Sequence, residues 1–189
     1  MLKEIIRKVA KIDGWFNHRE MTQVYDFVRN LPKDGLIVEL GTWKGRSTLF
    51  FRLANPDIKI ITIDACEKFW SSPAPAEEIT PGIVELGNIE YIQKYTSEVV
   101  KDFDKEIDFM FIDHEHTFNG VTKALFRWAD FVKVGGYILF HDSHSKKEFP
   151  HNGVFPAVNE WLEDNDDWEE VPLTGVAMQL IKRNDIIKP

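Results

Sequence analysis

The chain has 189 residues, 43% of them hydrophobic and 13% aromatic, which is enough for one domain with a sizeable core. Its 31 acidic and 23 basic residues give a formal charge of −8, which disfavours a nucleic-acid partner bound through its phosphates. The single cysteine, Cys66, excludes an intrachain disulfide framework, and without a signal peptide or an apolar run of ~18 residues we expect a cytoplasmic protein with no membrane partner.

Two amphipathic helices are predicted at the N-terminus, because apolar residues recur there at helical spacing. Asn17 and Glu20, three residues apart, form the pattern of a capping box at the start of the second helix. We interpret residues 1–33 as a helical extension and residues 34–189 as the main domain. The extension could cover a pocket or provide the contact of a homodimer.

Seven strand-like runs alternate with helical segments after residue 34, which predicts βαβ units and a mostly parallel sheet. The last two strands are too close in sequence for a parallel crossover, so we expect an antiparallel hairpin with its turn at 173–175. Gly135-Gly136 is predicted to end the helix at 118–132. The predicted strands are Leu36–Leu40, Lys59–Asp64, Ile89–Lys94, Ile107–Asp113, Tyr137–Asp142, Trp168–Val171 and Val176–Arg183, and the helices are about 45–54, 97–104, 118–132 and 154–164.

The first of these strands ends in a glycine-bounded loop that contains Glu39, Gly41 and Gly45. In an open α/β sheet, ligands bind at such carboxyl ends, beside the N-termini of helices. A dinucleotide site needs G-x-G-x-x-G, but Trp43 and Arg46 occupy the second and third glycine positions. An acidic loop that need not approach a phosphate suits a positively charged ligand such as S-adenosylmethionine, although the glycines could merely form a tight turn.

Single polar residues follow the next two strands. Asp64 closes the second strand, 23 residues after Gly41, where a carboxylate can accept hydrogen bonds from ribose hydroxyls or remain a solvated strand-end group. Ser97 follows the third strand and could approach an adenine, although the N-cap of the next helix is the more common role for such a serine.

The fourth and fifth strands end in Asp113 and Asp142. On neighbouring strands, ~4.8 Å apart, these carboxylates would lie within reach of one cation. Carboxylates suit a hard ion such as Mg²⁺, whereas imidazoles favour softer metals. The alternative is a polar rim whose carboxylates bind a cofactor or helix amides. Four of the six histidines surround this pair, namely His114, His116, His141 and His144.

Taken together, these motifs resemble a class I S-adenosylmethionine-dependent methyltransferase. The segments FIDHEHTFNGV, VGGYILFHD and GVFPAVNEW narrow the resemblance to small enzymes related to macrocin-type sugar O-methyltransferases and catechol O-methyltransferase. The resemblance runs from about residue 18 to residue 183. It implies a Rossmann-like, doubly wound α/β fold with a seven-stranded sheet that ends in an antiparallel hairpin.

The resemblance also implies roles for individual residues. Asp113 would contribute to the cofactor site, to catalysis and to a metal site that also includes His141 and Asp142. His116 falls where metal-dependent members carry a histidine or lysine base. Asp64 would hold the ribose and Ser97 would lie near the adenine. The methionine part of the cofactor would be bound by Glu39, Gly41, Thr42, Gly45 and Ser47.

Departures from the family pattern bear on the metal and on the acceptor. His141 stands where some sugar methyltransferases have an acidic residue, and Ser143 stands where the catechol-type enzymes have an amide, which weakens the expected magnesium site. The N/D-P-P-Y/F/W signature of amino-methyltransferases is absent, because His114 and Glu115 occupy its proline positions. We therefore expect a small hydroxylated acceptor, and a sugar, a phenol and another metabolite all remain open.

The acceptor is expected to enter between the loops at 66–81 and 143–156, where Phe69, Trp70 and Phe149 could form an apolar wall. Two other functions remain open. A zinc hydrolase could use His114, His116, His141 and Asp142, although it would not explain the glycine loop. A catalytically silent binding module could also retain a methyltransferase fold.

Overall fold

The computed structural model describes residues 1–66, 79–143 and 153–185 of the chain. Helices α1 to α6 span Leu2–Val9, His18–Asn30, Arg46–Ala54, Thr96–Val99, Phe118–Trp128 and Val154–Asp164, and short 3-10 turns span Val84–Leu86, Val100–Asp102 and Ala129–Phe131. Strands β1 to β7 span Leu36–Leu40, Lys59–Ile63, Ile89–Ile92, Ile107–Ile112, Val132–Phe140, Trp168–Val171 and Gln179–Arg183.

The seven strands form one sheet in the order β3-β2-β1-β4-β5-β7-β6. The five strands from β3 to β5 are parallel, whereas β7 pairs antiparallel with both β5 and β6. The order runs outward from β1 in both directions, which is the doubly wound arrangement of a Rossmann-like fold. The predicted fold class is therefore confirmed, including the C-terminal hairpin.

Apolar side chains cover both faces of the central strands. In β1, Ile37 belongs to the core that also contains buried residues of α1, α2 and α3, while Val38 belongs to the core shared with α5 and α6. This alternation follows from the pleat of a strand, which points successive side chains to opposite faces. The helical extension predicted at residues 1–33 thus shares a core with the sheet.

The beginning of β5 differs from the prediction. The strand starts at Val132 rather than Tyr137, and α5 with its 3-10 turn ends at Phe131, so the glycine pair 135–136 lies inside the strand. The register between β4 and β5 shifts at this point, because Ile107 pairs with Val132 while Phe109 pairs with Tyr137. Gly135 has a φ of +83°, a left-handed conformation that glycine adopts readily. The pair therefore serves a bulge and not a helix end.

Other boundaries move by a few residues. Strand β7 begins at Gln179 and not at Val176, so the connection after β6 is longer than the predicted three-residue turn. The predicted helix at 97–104 is the short α4 followed by a 3-10 turn. Its N-cap is Tyr95, so the interpretation of Ser97 as an N-cap is wrong. Within the described residues, no helix is long and apolar enough to cross a membrane.

The packing predicts a contrast between two phenylalanines that both lie on helices. Phe51 of α3 is fully buried and meets Phe111 edge-to-face at a centroid distance of 5.3 Å, whereas Phe126 of α5 is 79% exposed. Phe51→Ala should lower the free energy of unfolding by about 3–5 kcal/mol, because it leaves a cavity in the core. Phe126→Ala, the matched control, should change it by less than about 0.5 kcal/mol. Urea denaturation measures both values, and equal losses would contradict this description of the core.

Candidate active site

The carboxyl edge of the parallel strands brings the predicted site residues together. Backbone hydrogen bonds continue beyond the strands there: the Gly41 amide donates to Ile63 O at 2.8 Å, and the Asp113 amide donates to Leu40 O at 2.8 Å. The His141 amide donates to Ile112 O at 3.0 Å. The glycine loop and the two aspartate-bearing segments are therefore fixed to one another by the sheet itself.

The β1–α3 loop needs glycine where it crosses the end of β4. Gly41 has a φ of +100°, and a Cβ atom built on it would lie 2.1 Å from the backbone oxygen of Asp113. Gly45, with a φ of +81°, is the N-cap of α3, and its Cβ would lie 2.7 Å from Ile79. Both glycines thus serve a tight turn, and the turn also leaves the first amides of α3 at the carboxyl edge of the sheet.

Glu39 lies beneath this loop and is fully buried. Its carboxylate accepts hydrogen bonds from Ser47 Oγ at 2.5 Å, from Thr62 Oγ1 at 2.6 Å and from Thr48 Oγ1. Burial raises the pKa of Glu39 to about 7, although the three hydroxyl donors oppose that shift. The structure therefore brings the predicted residues Glu39 and Ser47 into contact with each other inside the protein, and their contact with a cofactor stays a prediction.

Asp64 holds the loop from the side of β2. Its Oδ2 accepts hydrogen bonds from the amides of Thr42 at 2.9 Å and Trp43 at 2.7 Å, and its Oδ1 accepts one from the Cys66 amide at 2.7 Å. Two adjacent loop amides thus converge on one carboxylate, which anchors the turn. The predicted roles of Asp64 at the ribose and of half-buried Ser97 at the adenine stay predictions.

Four side chains form a compact cluster at the ends of β4 and β5. Candidate ligand atoms of Asp113, His116, His141 and Asp142 all lie within 4.8 Å of one another. His116 Nε2 is 3.1 Å from Asp113 Oδ1 and 3.5 Å from Asp142 Oδ2. His141 Nδ1 is 3.3 Å and 3.4 Å from the same two oxygens. Each imidazole therefore faces both carboxylates.

The charges of the cluster support one another. Burial alone would raise the pKa values of Asp113 and Asp142, but the nearby imidazole of His141 holds both below their usual range. Conversely, burial would lower the pKa of His141, but Asp113 opposes it and the pKa of His141 lies well above its ordinary value. Two carboxylates and an imidazole at this spacing can hold a cation, so the residues predicted as metal ligands fit a divalent ion.

One residue that contacts the cluster was not predicted from the sequence. Glu20 of α2 contacts the other face of the site, with Oε2 3.2 Å from His141 Nε2, and both side chains are at most 5% exposed. The capping box with Asn17 was the only sequence signal, and it is confirmed: the Asn17 amide donates to Glu20 Oε2 at 2.7 Å. A spacing of 121 residues gives no pattern that could reveal the Glu20–His141 contact.

The N-terminal segment also packs against the glycine loop. Arg46 donates to the carbonyl oxygen of Gly14 at 2.7 Å, and Trp15 stacks on Trp43 with ring centroids 4.5 Å apart. Lys44 lies 4.9 Å above the Trp43 ring. The segment before α2 therefore covers part of the loop, while its predicted roles as a pocket cover or a homodimer contact stay predictions.

Several residues predicted for the site are not shown to be part of the four-residue cluster. His114 is absent from the four-residue cluster. Burial lowers its pKa. His144 and the three aromatic residues Phe69, Trp70 and Phe149 lie outside the described residues.

Comparison with known proteins gives a family match over the same elements. A family model described as a methyltransferase domain matches residues 38–143, more than half of the chain. The uncharacterized protein R132 of Acanthamoeba polyphaga mimivirus is 29% identical over 146 residues, which cover 74% of this chain. The chain spans 65% of that relative's length.

Solved structures share the fold at low identity. The methyltransferase PaMTH1 of Podospora anserina, bound to SAH, is 15% identical with a TM-score of 0.66, and the match covers 97% of this chain and 88% of that one. The O-methyltransferase TomG of Streptomyces achromogenes, in complex with SAM, is 15% identical with a TM-score of 0.64, covering 97% and 89%. A putative rRNA-methylase of Clostridium thermocellum is 13% identical with a TM-score of 0.63, covering 86% and 96%.

The close approach at Gly41 predicts a larger loss of stability there than at a second glycine of similar conformation. Gly82 has a φ of +89°, and none of the described residues has an atom within 4 Å of a Cβ built on it. Gly82→Ala should cost about 1–2 kcal/mol, the strain of a left-handed alanine. Gly41→Ala should cost clearly more, because the Asp113 carbonyl must also move. Urea denaturation of the two variants checks this, and equal losses would refute the close approach.

Burial of Glu39 predicts a pH dependence of stability. Its pKa in the folded state, about 7, lies above the value of 4.5 for an exposed glutamate, so the folded chain binds a proton more tightly than the unfolded chain. The resulting contribution is fully present below pH 4.5 and is lost as the pH rises through 7, by roughly 3 kcal/mol in total. Denaturation across pH 5–8 should show this slope in the parent protein and a flatter one in Glu39→Gln. Identical slopes would contradict it.

Proposed function

Because the chain belongs to the methyltransferase-domain family, we propose that it transfers the methyl group of S-adenosylmethionine to a hydroxyl of a small acceptor, assisted by a divalent cation. The observation that carries this proposal is the juxtaposition of a histidine with two carboxylates at 3.1–3.5 Å, beside a glycine loop on the same sheet edge. The family match at 38–143 includes both the loop and the cluster.

The chemistry of the loop supports the cofactor. Trp43 stands where a dinucleotide fold needs glycine. The first amides of α3, whose N-cap Gly45 provides no side-chain hydrogen bond, suit a carboxylate such as that of the methionine part. The side chain of Asp113 is 25% exposed at the same edge and carries negative charge, which suits the positive sulfonium and ammonium groups. PaMTH1 and TomG, which share the fold, were solved with SAH and SAM.

Methyl transfer to a hydroxyl requires removal of the hydroxyl proton. His116 is the candidate base, because its Nε2 lies 3.1 Å from Asp113 Oδ1 and the neighbouring carboxylate stabilises the imidazolium that forms. The cofactor pocket would hold the sulfonium methyl in line with the acceptor oxygen. A divalent ion such as Mg²⁺, held by Asp113, His141 and Asp142, would lower the pKa of the acceptor hydroxyl.

Oxygen is favoured as the acceptor atom on two grounds. The residues after Asp113 are His114 and Glu115, so the proline-containing signature of amino-methyltransferases is missing. The net charge of −8 also disfavours RNA, which is the substrate class that the name of the Clostridium neighbour implies for that protein. A sugar and a phenol both satisfy this chemistry.

The family match argues against the zinc hydrolase, and His114, one of its four expected ligands, is absent from the cluster of the described residues. A catalytically silent module is a methyltransferase fold that binds cofactor weakly or not at all and transfers nothing. Cofactor binding and methyl transfer therefore distinguish it from an enzyme.

Calorimetric titration with S-adenosylhomocysteine tests the proposal first. We expect micromolar binding, with NAD as a control ligand that does not bind. Incubation with S-adenosylmethionine, a divalent ion and a panel of sugars and phenols should then place a methyl group on oxygen, as read by mass spectrometry. Aniline analogues of the phenols are the matched acceptors that should remain unmodified. Absence of S-adenosylhomocysteine binding would overturn the proposal.

His116→Ala should lower turnover by ~10²–10⁴-fold while the dissociation constant for S-adenosylhomocysteine stays within about two-fold, because a general base acts on the acceptor and not on the cofactor. His18→Ala is the control, since His18 is exposed at the start of α2. Steady-state kinetics and calorimetry measure the two effects separately. A parallel loss of cofactor affinity in His116→Ala would contradict its role as the base.

A further inference from the structure

The ring of His141 has a buried nitrogen that lacks a hydrogen bond. Its Nδ1 is enclosed by protein and makes no hydrogen bond to any of the described residues, although Asp113 Oδ1 and Asp142 Oδ2 lie at ion-pair distances of 3.3 Å and 3.4 Å. The ring itself is 2% exposed. A buried polar atom without a partner is costly, so its position between two carboxylate oxygens calls for a ligand that satisfies all three atoms.

The other ring nitrogen of His141, Nε2, faces a carboxylate of α2. His141 Nε2 lies 3.2 Å from Glu20 Oε2, which also accepts the Asn17 amide of the capping box and is thereby held in place. In the free protein, carboxylates on both sides of the ring favour a proton on each nitrogen. A metal ion that replaced the proton on Nδ1 would leave the other proton on Nε2, where it faces Glu20. A histidine that binds a metal through one nitrogen commonly donates the other N–H to a carboxylate in this way.

The spacing of the three inner atoms agrees with coordination of one ion. Metal bonds to nitrogen or oxygen of ~2.1 Å, at angles between octahedral and tetrahedral, separate neighbouring ligands by about 3.0–3.4 Å. The two distances from His141 Nδ1, 3.3 Å and 3.4 Å, fall in that range.

We propose that His141 is a metal ligand oriented by Glu20, and that the site of Asp113, His141 and Asp142 prefers a transition-metal ion such as Mn²⁺ to Mg²⁺. The inference rests on the proposed function, because it concerns the ion of the same site. Mg²⁺ favours an all-oxygen environment, whereas an imidazole nitrogen adds affinity for first-row transition metals. Glu20 is a positioning residue in this arrangement, since it acts on the ion only through the His141 ring.

The test is titration of the chelator-treated, full-length protein with MnCl₂ and with MgCl₂, with S-adenosylhomocysteine present. Calorimetry should give a Mn²⁺ affinity at least ten-fold higher than that for Mg²⁺. Pulsed electron paramagnetic resonance of bound Mn²⁺ should show coupling to a directly bonded imidazole nitrogen. His141→Asp should remove the part of that coupling due to His141 and reduce the preference for Mn²⁺, because it restores an all-oxygen set at this position.

Glu20→Gln should weaken Mn²⁺ binding by about 10–100-fold, since it replaces the carboxylate that orients the ring. Glu163→Gln, on the exposed surface of α6, is the matched control and should leave Mn²⁺ affinity unchanged. S-adenosylhomocysteine affinity and the thermal midpoint should stay close to those of the parent protein in both variants. His141→Asp provides the independent second test if Glu20→Gln does not fold.

Two outcomes would overturn the inference while the proposed function stands. One is S-adenosylhomocysteine binding by the parent protein with no measurable Mn²⁺ site, which would make His141 an imidazolium paired with its three carboxylates. The other is equal or tighter binding of Mg²⁺. Failure of the parent protein to bind S-adenosylhomocysteine would instead count against the proposed function, whatever the metal result.

Discussion

The contact between the Gly41 backbone and the end of β4 is the constraint on which the rest of the site depends. A side chain at position 41 would collide with the Asp113 carbonyl, so only glycine lets the β1–α3 loop pass directly over the residue that begins the charged cluster. The Asp113 amide in turn donates to Leu40 at the end of β1. Loop and cluster are therefore parts of one backbone arrangement, and a ligand held by the loop is automatically beside Asp113.

The protein handles its buried carboxylates in two different ways. Among the described residues, Glu39 is surrounded by three hydroxyl donors and no cation, so burial raises its pKa to about 7 and the proton itself can neutralise it. Asp113 and Asp142 face two imidazoles, so they stay ionised and the positive charge resides on their partners or on a bound cation. The hydrogen bonds of Glu39 hold the start of α3 against the sheet. The two aspartates instead place negative charge at the accessible carboxyl edge of the sheet.

The fold and the position of the two aspartates were predictable from the sequence, because both follow from the topology of the sheet. Parallel strands place their carboxyl ends at one edge, so Asp113 and Asp142 could be brought together from strand order alone, and the short spacing before β7 required a hairpin. The predictions that were wrong concern boundaries of helices and strands, which depend on tertiary contacts. The bulge that draws Gly135 into β5 compensates a register shift against β4, and nothing in the local sequence separates that glycine pair from a helix end. The N-cap of α4 is Tyr95 and not the predicted Ser97. A helix of four residues has almost no periodicity in its sequence from which its first residue could be predicted.

Glu20 is the residue that sequence reasoning was least able to find, and it changes the charge balance of the site. It lies on α2, outside the family match at 38–143, so the matched region contributes two carboxylates to the site and α2 adds a third. With both imidazoles neutral, Asp113, Asp142 and Glu20 would leave three negative charges close together and largely enclosed, an arrangement that costs several kcal/mol unless a cation compensates it. Helix α2 therefore does more than cover the sheet. Its Glu20 adds the negative charge that makes a cation, whether a proton on His141 or a metal ion, a requirement of the folded site.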